Sequence, residues 1–287
     1  MPAIFFALIS FIGWGIGDIF TTIASRKLGG YSIALWGFIL SFLISSLYAP
    51  FVLDKLSQLT WGLLILSIFL GFILLAAFVW FTEGLRIGNP ALVGTITSGF
   101  VALVVIFSII FLGETITFSQ AIAIAIIFTG LLLSSLDWRI LKNHHQFFNK
   151  GVVLAILVMI AWGIFYTFIK IPISKIGWFW PSYIAGATFP VLYGYIKLKK
   201  IKLQSPVHQG AFWPLLTQVV LLTGGGFSLN FALEKGLTSI VVPIAGAYPA
   251  LFVLLAFLVF KDPITRQQIA GIITTLVGIV LLSVFSV

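Results

Sequence analysis

The sequence is a succession of apolar runs, each about long enough to cross a bilayer, separated by short polar connections. Crossing the hydrocarbon core as a helix takes roughly 20 apolar residues. On that ruler the chain divides into ten crossings, at 3–24, 31–52, 60–83, 89–111, 118–136, 151–171, 178–197, 211–233, 238–260 and 266–286. In lipid every backbone N–H and C=O needs a partner within the protein, which leaves helices and closed barrels. The runs lack the alternation of barrel strands, so the expected class is an all-α membrane protein with ten transmembrane helices. Composition agrees: only 8% of residues are charged, against about a quarter in soluble domains, too few to cover a water-facing surface. Soluble enzymes, DNA-binding domains and disordered regulators are thereby excluded.

The formal net charge of +9 falls mostly between the apolar runs, where lipid headgroups attract it. The partner it implies is the bilayer rather than a nucleic acid. There are no cysteines, and His144, His145 and His208 all lie in polar connections, so neither a metal site nor a cofactor is expected. The first run has no basic leader or small-residue cleavage site, and is expected to be a retained helix.

An internal repeat divides the chain further. At a constant offset of 148 residues, Trp14-Gly15-Ile16 matches Trp162-Gly163-Ile164, Lys27 and Gly29 match Lys175 and Gly177, and Leu85 and Gly88 match Leu233 and Gly236. Ala102-Leu103 matches Ala250-Leu251, Ile116-Thr117 and Gln120 match Ile264-Thr265 and Gln268, and Gly130 matches Gly278. Matches that include Trp, Lys, Gln and Gly at one ungapped offset exceed what a shared apolar bias produces. The expected units are 1–140 and 151–287, joined by a polar linker at 141–150. Five crossings per unit is an odd number, so the second unit enters the membrane from the opposite side. Two inverted repeats of this kind are the recurring architecture of secondary transporters, with a site between them at mid-depth.

The residues resemble the EamA-type members of the drug/metabolite transporter superfamily over the whole chain. The likeness rests on the Trp-Gly pair in the first helix of each half (Phe11-Ile12-Gly13-Trp14-Gly15 and Met159-Ile160-Ala161-Trp162-Gly163). It rests also on Phe111-Leu112-Gly113-Glu114-Thr115-Ile116-Thr117 with Gln120, answered by Phe260-Lys261-Asp262-Pro263-Ile264-Thr265 with Gln268. The second copy departs by carrying Lys261-Asp262 in place of Gly-Glu. The resemblance implies a multi-pass transporter of small metabolites in the cell membrane, with a central cavity built by helices 1, 3 and 4 of each repeat. It also implies cytoplasmic termini. The basic residues argue the other way: on the terminal side lie four (Lys55, Lys170, Lys175, Lys235) and on the other side twelve, and the side richer in Lys and Arg is normally cytoplasmic.

Several residues could carry chemistry. Asp18 is the one carboxylate deep in a predicted span, on the same helix face as Trp14. Unpaired at the bilayer centre it costs about 2.5–3.5 kcal/mol even on lenient scales, so it either binds a proton or cation in a wet cavity or makes a structural hydrogen bond to a neighbouring helix. Its repeat counterpart is Tyr166. Trp14 and Trp162 lie inside helices rather than at membrane edges, either sandwiching a flat or cationic solute or filling the bundle core. Tyr248 and its counterpart Phe100 lie beside the Pro243, Gly246 and Pro249 interruptions of the ninth run, where freed carbonyls or a hinge are expected. Asn230 is a solute-binding or helix-linking amide. Trp80 and Glu83 end the third run; Glu83 is a second coupling candidate, or else a simple i, i+3 partner of Arg86. Glu114 and Asp262, at short turns before helices 5 and 10, read as helix caps. Gly13-xxx-Gly17 and Gly224-Gly225-Gly226 read as close helix packing.

The function these features point to is a monomeric secondary transporter, moving an amino acid, aromatic or amine-like solute by alternating access, with protons or another coupling ion. The alternative is a pore or lipid-handling membrane protein. No nucleophile elbow, phosphate loop or paired intramembrane carboxylates appear, so an enzyme is not expected.

Overall fold

The computed structural model describes residues 1–87, 90–135, 150–261 and 264–286, and all of its regular structure is helical. In the first half α1 (Pro2–Leu28) and α2 (Gly30–Tyr48) are followed by a 3-10 segment (Ala49–Gln58) and α3 (Trp61–Ile87). Then come α4 (Pro90–Ser98), α5 (Phe100–Leu112) and α6 (Phe118–Ser135). The second half comprises α7 (Lys150–Phe168), α8 (Lys170–Ile176), α9 (Trp180–Gly186), α10 (Phe189–Leu198), α11 (Phe212–Lys235), α12 (Thr238–Gly246), α13 (Tyr248–Phe260) and α14 (Arg266–Val284). Among the described residues nine helical stretches are long and apolar enough to cross a membrane. The expected linker, 141–150, with His144 and His145, lies outside the described residues except for Lys150.

The seventh run is not the single helix its apolarity suggests. It is the pair α9 and α10, parted at Ala187–Thr188 with Pro190 in the first turn of α10. Proline has no N–H to donate and clashes with the carbonyl four residues earlier, so the helix is interrupted just before it. The fourth and ninth runs are broken at equivalent points, Gly99 and Ala247. Each break places an aromatic residue, Phe100 or Tyr248, at the start of the helix that follows.

Local geometry explains why the repeated residues repeat. Gly29 and Gly177, 148 apart, have φ of 74° and 77° and join consecutive helices, a left-handed region that glycine enters without Cβ strain. Gly113 ends α5 with φ 68°, and at the same offset Lys261 ends α13 with φ 59°. Thr117–Gln120 and Thr265–Gln268 are both capping boxes. In each, the threonine hydroxyl accepts from the glutamine N–H at 3.2 Å, and the glutamine side chain accepts from the threonine N–H at 2.9 Å.

Packing pairs the halves reciprocally. The chain's first helix α1 lies along α11, while α3 lies along α7. A Cβ on Gly15 would meet Leu251 at 2.7 Å, and one on Gly163 would meet Leu103 at 3.0 Å, the same contact at the same offset. The fifth and tenth runs, α6 and α14, touch backbone to backbone. A Cβ on Gly130 would stand 2.4 Å from Thr275 N, and one on Gly271 2.3 Å from Ser134 N. Apolar side chains have no reason to desert lipid for one another, so small residues that allow such close approach are what hold membrane helices together. The opposite face of α14, with Ile269, Ile273, Val277 and Val280, is exposed, as a lipid-facing surface should be.

Candidate functional site

A cavity of about 270 Å³ lies at the centre, lined by residues of both halves. This is near the lower end of small-molecule pockets, roughly 300–1,000 Å³. One wall is an aromatic network. Trp14 meets Tyr248 edge-on at 5.6 Å between ring centroids, and Trp162 meets Phe100 edge-on at 5.7 Å. These are again the same contact in the two halves. Tyr166 bridges the pairs, 5.7 Å from Trp14 and 5.4 Å from Phe100. Offset and edge-on ring pairs are the favoured arrangements, so this wall is held without help from a ligand. Trp14 is fixed further: its Nε1 donates to Leu222 O at 3.3 Å, and its indole lies so close over Gly225 that a Cβ there would be 2.8 Å away.

Asp18 joins this wall one turn beyond Trp14 and lines the cavity. Tyr166 and Tyr248 line the cavity with it. Thr21, whose hydroxyl donates to Gly17 O at 3.1 Å, lines the cavity as well. No Lys, Arg or His is among the described residues that line the cavity.

The facing wall is polar but uncharged. Asn230, 4% exposed, donates from Nδ2 to Trp178 O at 2.9 Å and to Ser182 Oγ at 2.6 Å. Thr223 Oγ1 donates to Ser41 Oγ at 2.9 Å. Gln218, also 4% exposed, lines the same cavity, and its Oε1 has no hydrogen-bond partner among the described residues. Sequence reasoning singled out Asn230 in this apolar run and passed over Gln218, although a lone amide in a span is the same signal.

Seven of the expected residues, Trp14, Asp18, Phe100, Trp162, Tyr166, Asn230 and Tyr248, line the cavity. Trp80 and Glu83 do not. On α3 the cavity side is Leu74, Phe78 and Phe81, spaced four and three residues apart as one helix face requires. Trp80 and Glu83 are about 100° and 200° away from Phe81 on that wheel. Phe81 takes the place foreseen for Trp80 and meets Trp162 at 5.2 Å. The pairing foreseen between Glu83 and Arg86 involves a side chain outside the described residues. The expectation that helices 1, 3 and 4 of each repeat build the cavity also needs correction. The second helix contributes heavily, through Gly37, Ser41, Phe42 and Ser45 of α2, and so does its counterpart α9 through Ser182 and Tyr183.

Glu114 caps a helix, but not the one expected. Thr117 and Gln120 cap α6, whereas the Glu114 carboxylate, 8% exposed, reaches into the second half to the start of α12. It accepts from Thr238 N at 2.7 Å, Ser239 N at 2.8 Å and Ser239 Oγ at 2.6 Å. Beside it Lys170 Nζ donates to Leu233 O and to Gly236 O, closing the last carbonyls of α11. This end of the molecule is thus tied across the halves. Asp262 lies outside the described residues.

The EamA-like transporter family model matches the chain twice, at residues 1–136 and 149–284. An uncharacterized protein of Methanocaldococcus jannaschii, MJ1333.1, is 32% identical over 136 residues, covering 47% of this chain and 98% of that protein. That relative is therefore about as long as one repeat. A protein crystal structure superposes with a TM-score of 0.79 over 99% of this chain and 97% of the other, at 12% identity, a likeness of fold. With both repeats matched and nine bilayer-length helices among the described residues, the chain is an integral multi-pass membrane protein and belongs to the EamA-like transporter family.

Proposed function

We propose that this protein is a secondary transporter that carries a small metabolite through the membrane by alternating access. In this reading residues 1–140 and 151–287 are two inverted five-helix repeats. The broken pair α9 and α10 is the seventh of ten crossings. The solute sits against Trp14, Trp162, Tyr166, Phe100 and Tyr248, with Asn230 on the far wall. Asp18 is the group that exchanges a proton or meets a cationic part of an amino acid, aromatic or amine-like solute.

The observation that carries the proposal is the single carboxylate in a cavity with no basic residue among those lining it. A charge held in low dielectric without a counter-charge is expensive. Asp18 therefore favours whatever supplies a positive charge, either a proton or a solute cation. The aromatic faces add to this, since a cation over a ring gains roughly 0.5–2 kcal/mol. Two similar halves meeting at one site provide what alternating access needs, two arrangements of comparable energy.

Counterflow into proteoliposomes with a panel of amino acids and amines tests the proposal. A carrier gives saturable uptake that unlabelled solute competes for and accelerates; a pore or a lipid-handling protein gives non-saturable flux or scrambling. Asp18→Asn removes the charge at nearly constant volume. The expected result is loss of pH dependence together with weakened uptake. Normal transport with an unchanged pH profile would remove Asp18 from the mechanism.

A further inference from the structure

We infer that Gln218 is a second recognition point in the cavity, reading a carboxamide on a solute whose cationic nitrogen lies at Asp18. The inference rests on the transport reading and deepens it by naming the substrate class. Gln218 is 4% exposed, lines the cavity, and leaves Oε1 without a hydrogen-bond partner among the described residues. A buried polar atom left unpaired is costly, and native proteins rarely keep one without a use. The neighbourhood also keeps space for an occupant. Gly37 lies opposite, and a Cβ there would meet only the Gln218 Nε2, at 3.9 Å.

The position of the amide relative to Asp18 follows from helix register. Gly13 packs on Leu221 and Gly225, and Gly17 packs on Leu221 and Leu222, so α1 and α11 run antiparallel. Gln218 is then level with the turn of α1 that carries Asp18 and Thr21, both of which line the cavity. At 1.5 Å per residue the amide is within about 5 Å of Asp18 along the axis. A solute held at both points has its second polar group a few bonds from its charged nitrogen.

Chemistry narrows what that group is. A side-chain amide carries one acceptor and one donor end, and another carboxamide satisfies both at once. A carboxylate offers no donor to Oε1, and it would bring a negative charge into a cavity whose lining has Asp18 and no cation. The class that fits both walls is therefore an amine bearing an aromatic or apolar side chain and a neutral carboxamide, such as an amino-acid amide.

The test compares phenethylamine, phenylalaninamide and phenylalanine as competitors in proteoliposome counterflow. The first two share a ring and an amine and differ in the carboxamide; the third carries a carboxylate instead. Wild-type protein should prefer phenylalaninamide over phenethylamine by roughly tenfold, the scale of a buried amide pair, and over phenylalanine by more. In Gln218→Leu the amide-to-amine ratio should fall to about one, while Gln218→Asn, which keeps a shorter amide, should retain part of it. A wild-type ratio near one overturns the inference without needing any variant, and so does a full ratio in Gln218→Leu; in both cases the transporter reading stands. Absence of saturable exchange with all three compounds and with the wider amino-acid and amine panel overturns both.

Discussion

Replacing Glu114 tests how the two halves are tied together. The carboxylate is 8% exposed and takes hydrogen bonds from Thr238 N, Ser239 N and Ser239 Oγ at 2.6–2.8 Å. Both amides belong to the first turn of α12, where helical N–H groups have no partner within the helix. The positive end of the helix dipole adds to the attraction. Hydrogen bonds to a charged group contribute about 1.5–3 kcal/mol each, and a buried donor left unpaired costs about 1–3 kcal/mol. Three such bonds on one carboxylate are not additive. Glu114→Ala therefore destabilises by about 3–5 kcal/mol, and Glu114→Gln, which keeps one acceptor oxygen, by about half as much. At 2–4 °C per kcal/mol, the alanine variant should melt roughly 10 °C below wild type. Thermal unfolding of the purified protein, followed by fluorescence-detected size exclusion across wild type, Gln and Ala, reads this directly. The order wild type, Gln, Ala is required. An alanine variant melting within a degree or two of wild type would mean that α12 needs no cap from the first half, and the reasoning would be wrong.

Two further substitutions probe the backbone. Lys261 holds φ 59° where the first half has Gly113, a conformation costing a side chain about 1–2 kcal/mol. Lys261→Gly should be more stable than Lys261→Ala by about 1 kcal/mol. Both lack the lysine charge and only glycine relieves the strain, so equal melting temperatures would refute this. In the α6–α14 seam a Cβ at Gly271 would stand 2.3 Å from Ser134 N and 2.7 Å from Leu133 C, atoms of the facing backbone that cannot turn aside. Gly271→Val should part these helices and abolish a monodisperse folded peak, whereas the lipid-facing Ile273→Val should leave it unchanged. A well-folded Gly271→Val would show that the seam is not a packing constraint.

The fold was largely legible because its determinants are local or periodic. Apolar run length placed nine of the spans, and the offset of 148 marked residues whose geometry repeats: Gly29 and Gly177 at turns, Thr117–Gln120 and Thr265–Gln268 at caps. The break at Ala187–Thr188 was harder, since a proline in an apolar run is tolerated in some membrane helices and interrupts others. Helical phase explains why Trp80 was foreseen where Phe81 stands. Both are aromatic and adjacent, and only contacts with a distant helix decide which of them faces inward. Glu114 could not be assigned from its neighbours either. Its partners, Thr238 and Ser239, lie more than a hundred residues away in the other half.

The repeat itself separates scaffold from chemistry. Positions that keep the same kind of residue in both halves make paired structural contacts: Trp14 on Tyr248 and Trp162 on Phe100, or Gly15 on Leu251 and Gly163 on Leu103. The polar groups of the cavity sit where the halves diverge. Asp18 answers to Tyr166, Gln218 to the fully buried Leu70, Thr223 to Leu75, and Ser182 to Ala34. Duplication alone would place an apolar side chain at such positions in both copies, as lipid solubility favours. A polar residue in one copy only carries a desolvation cost that its sister avoids. In the cavity that cost is offset by pairing for Thr223 and Ser182. For Gln218 Oε1 no partner among the described residues offsets it. The asymmetry between the halves is therefore concentrated in one cavity, on both of its walls. In the proposed carrier it belongs there, because two like halves would supply two like conformations, whereas recognising a solute whose two ends differ in charge would require that the walls differ as well.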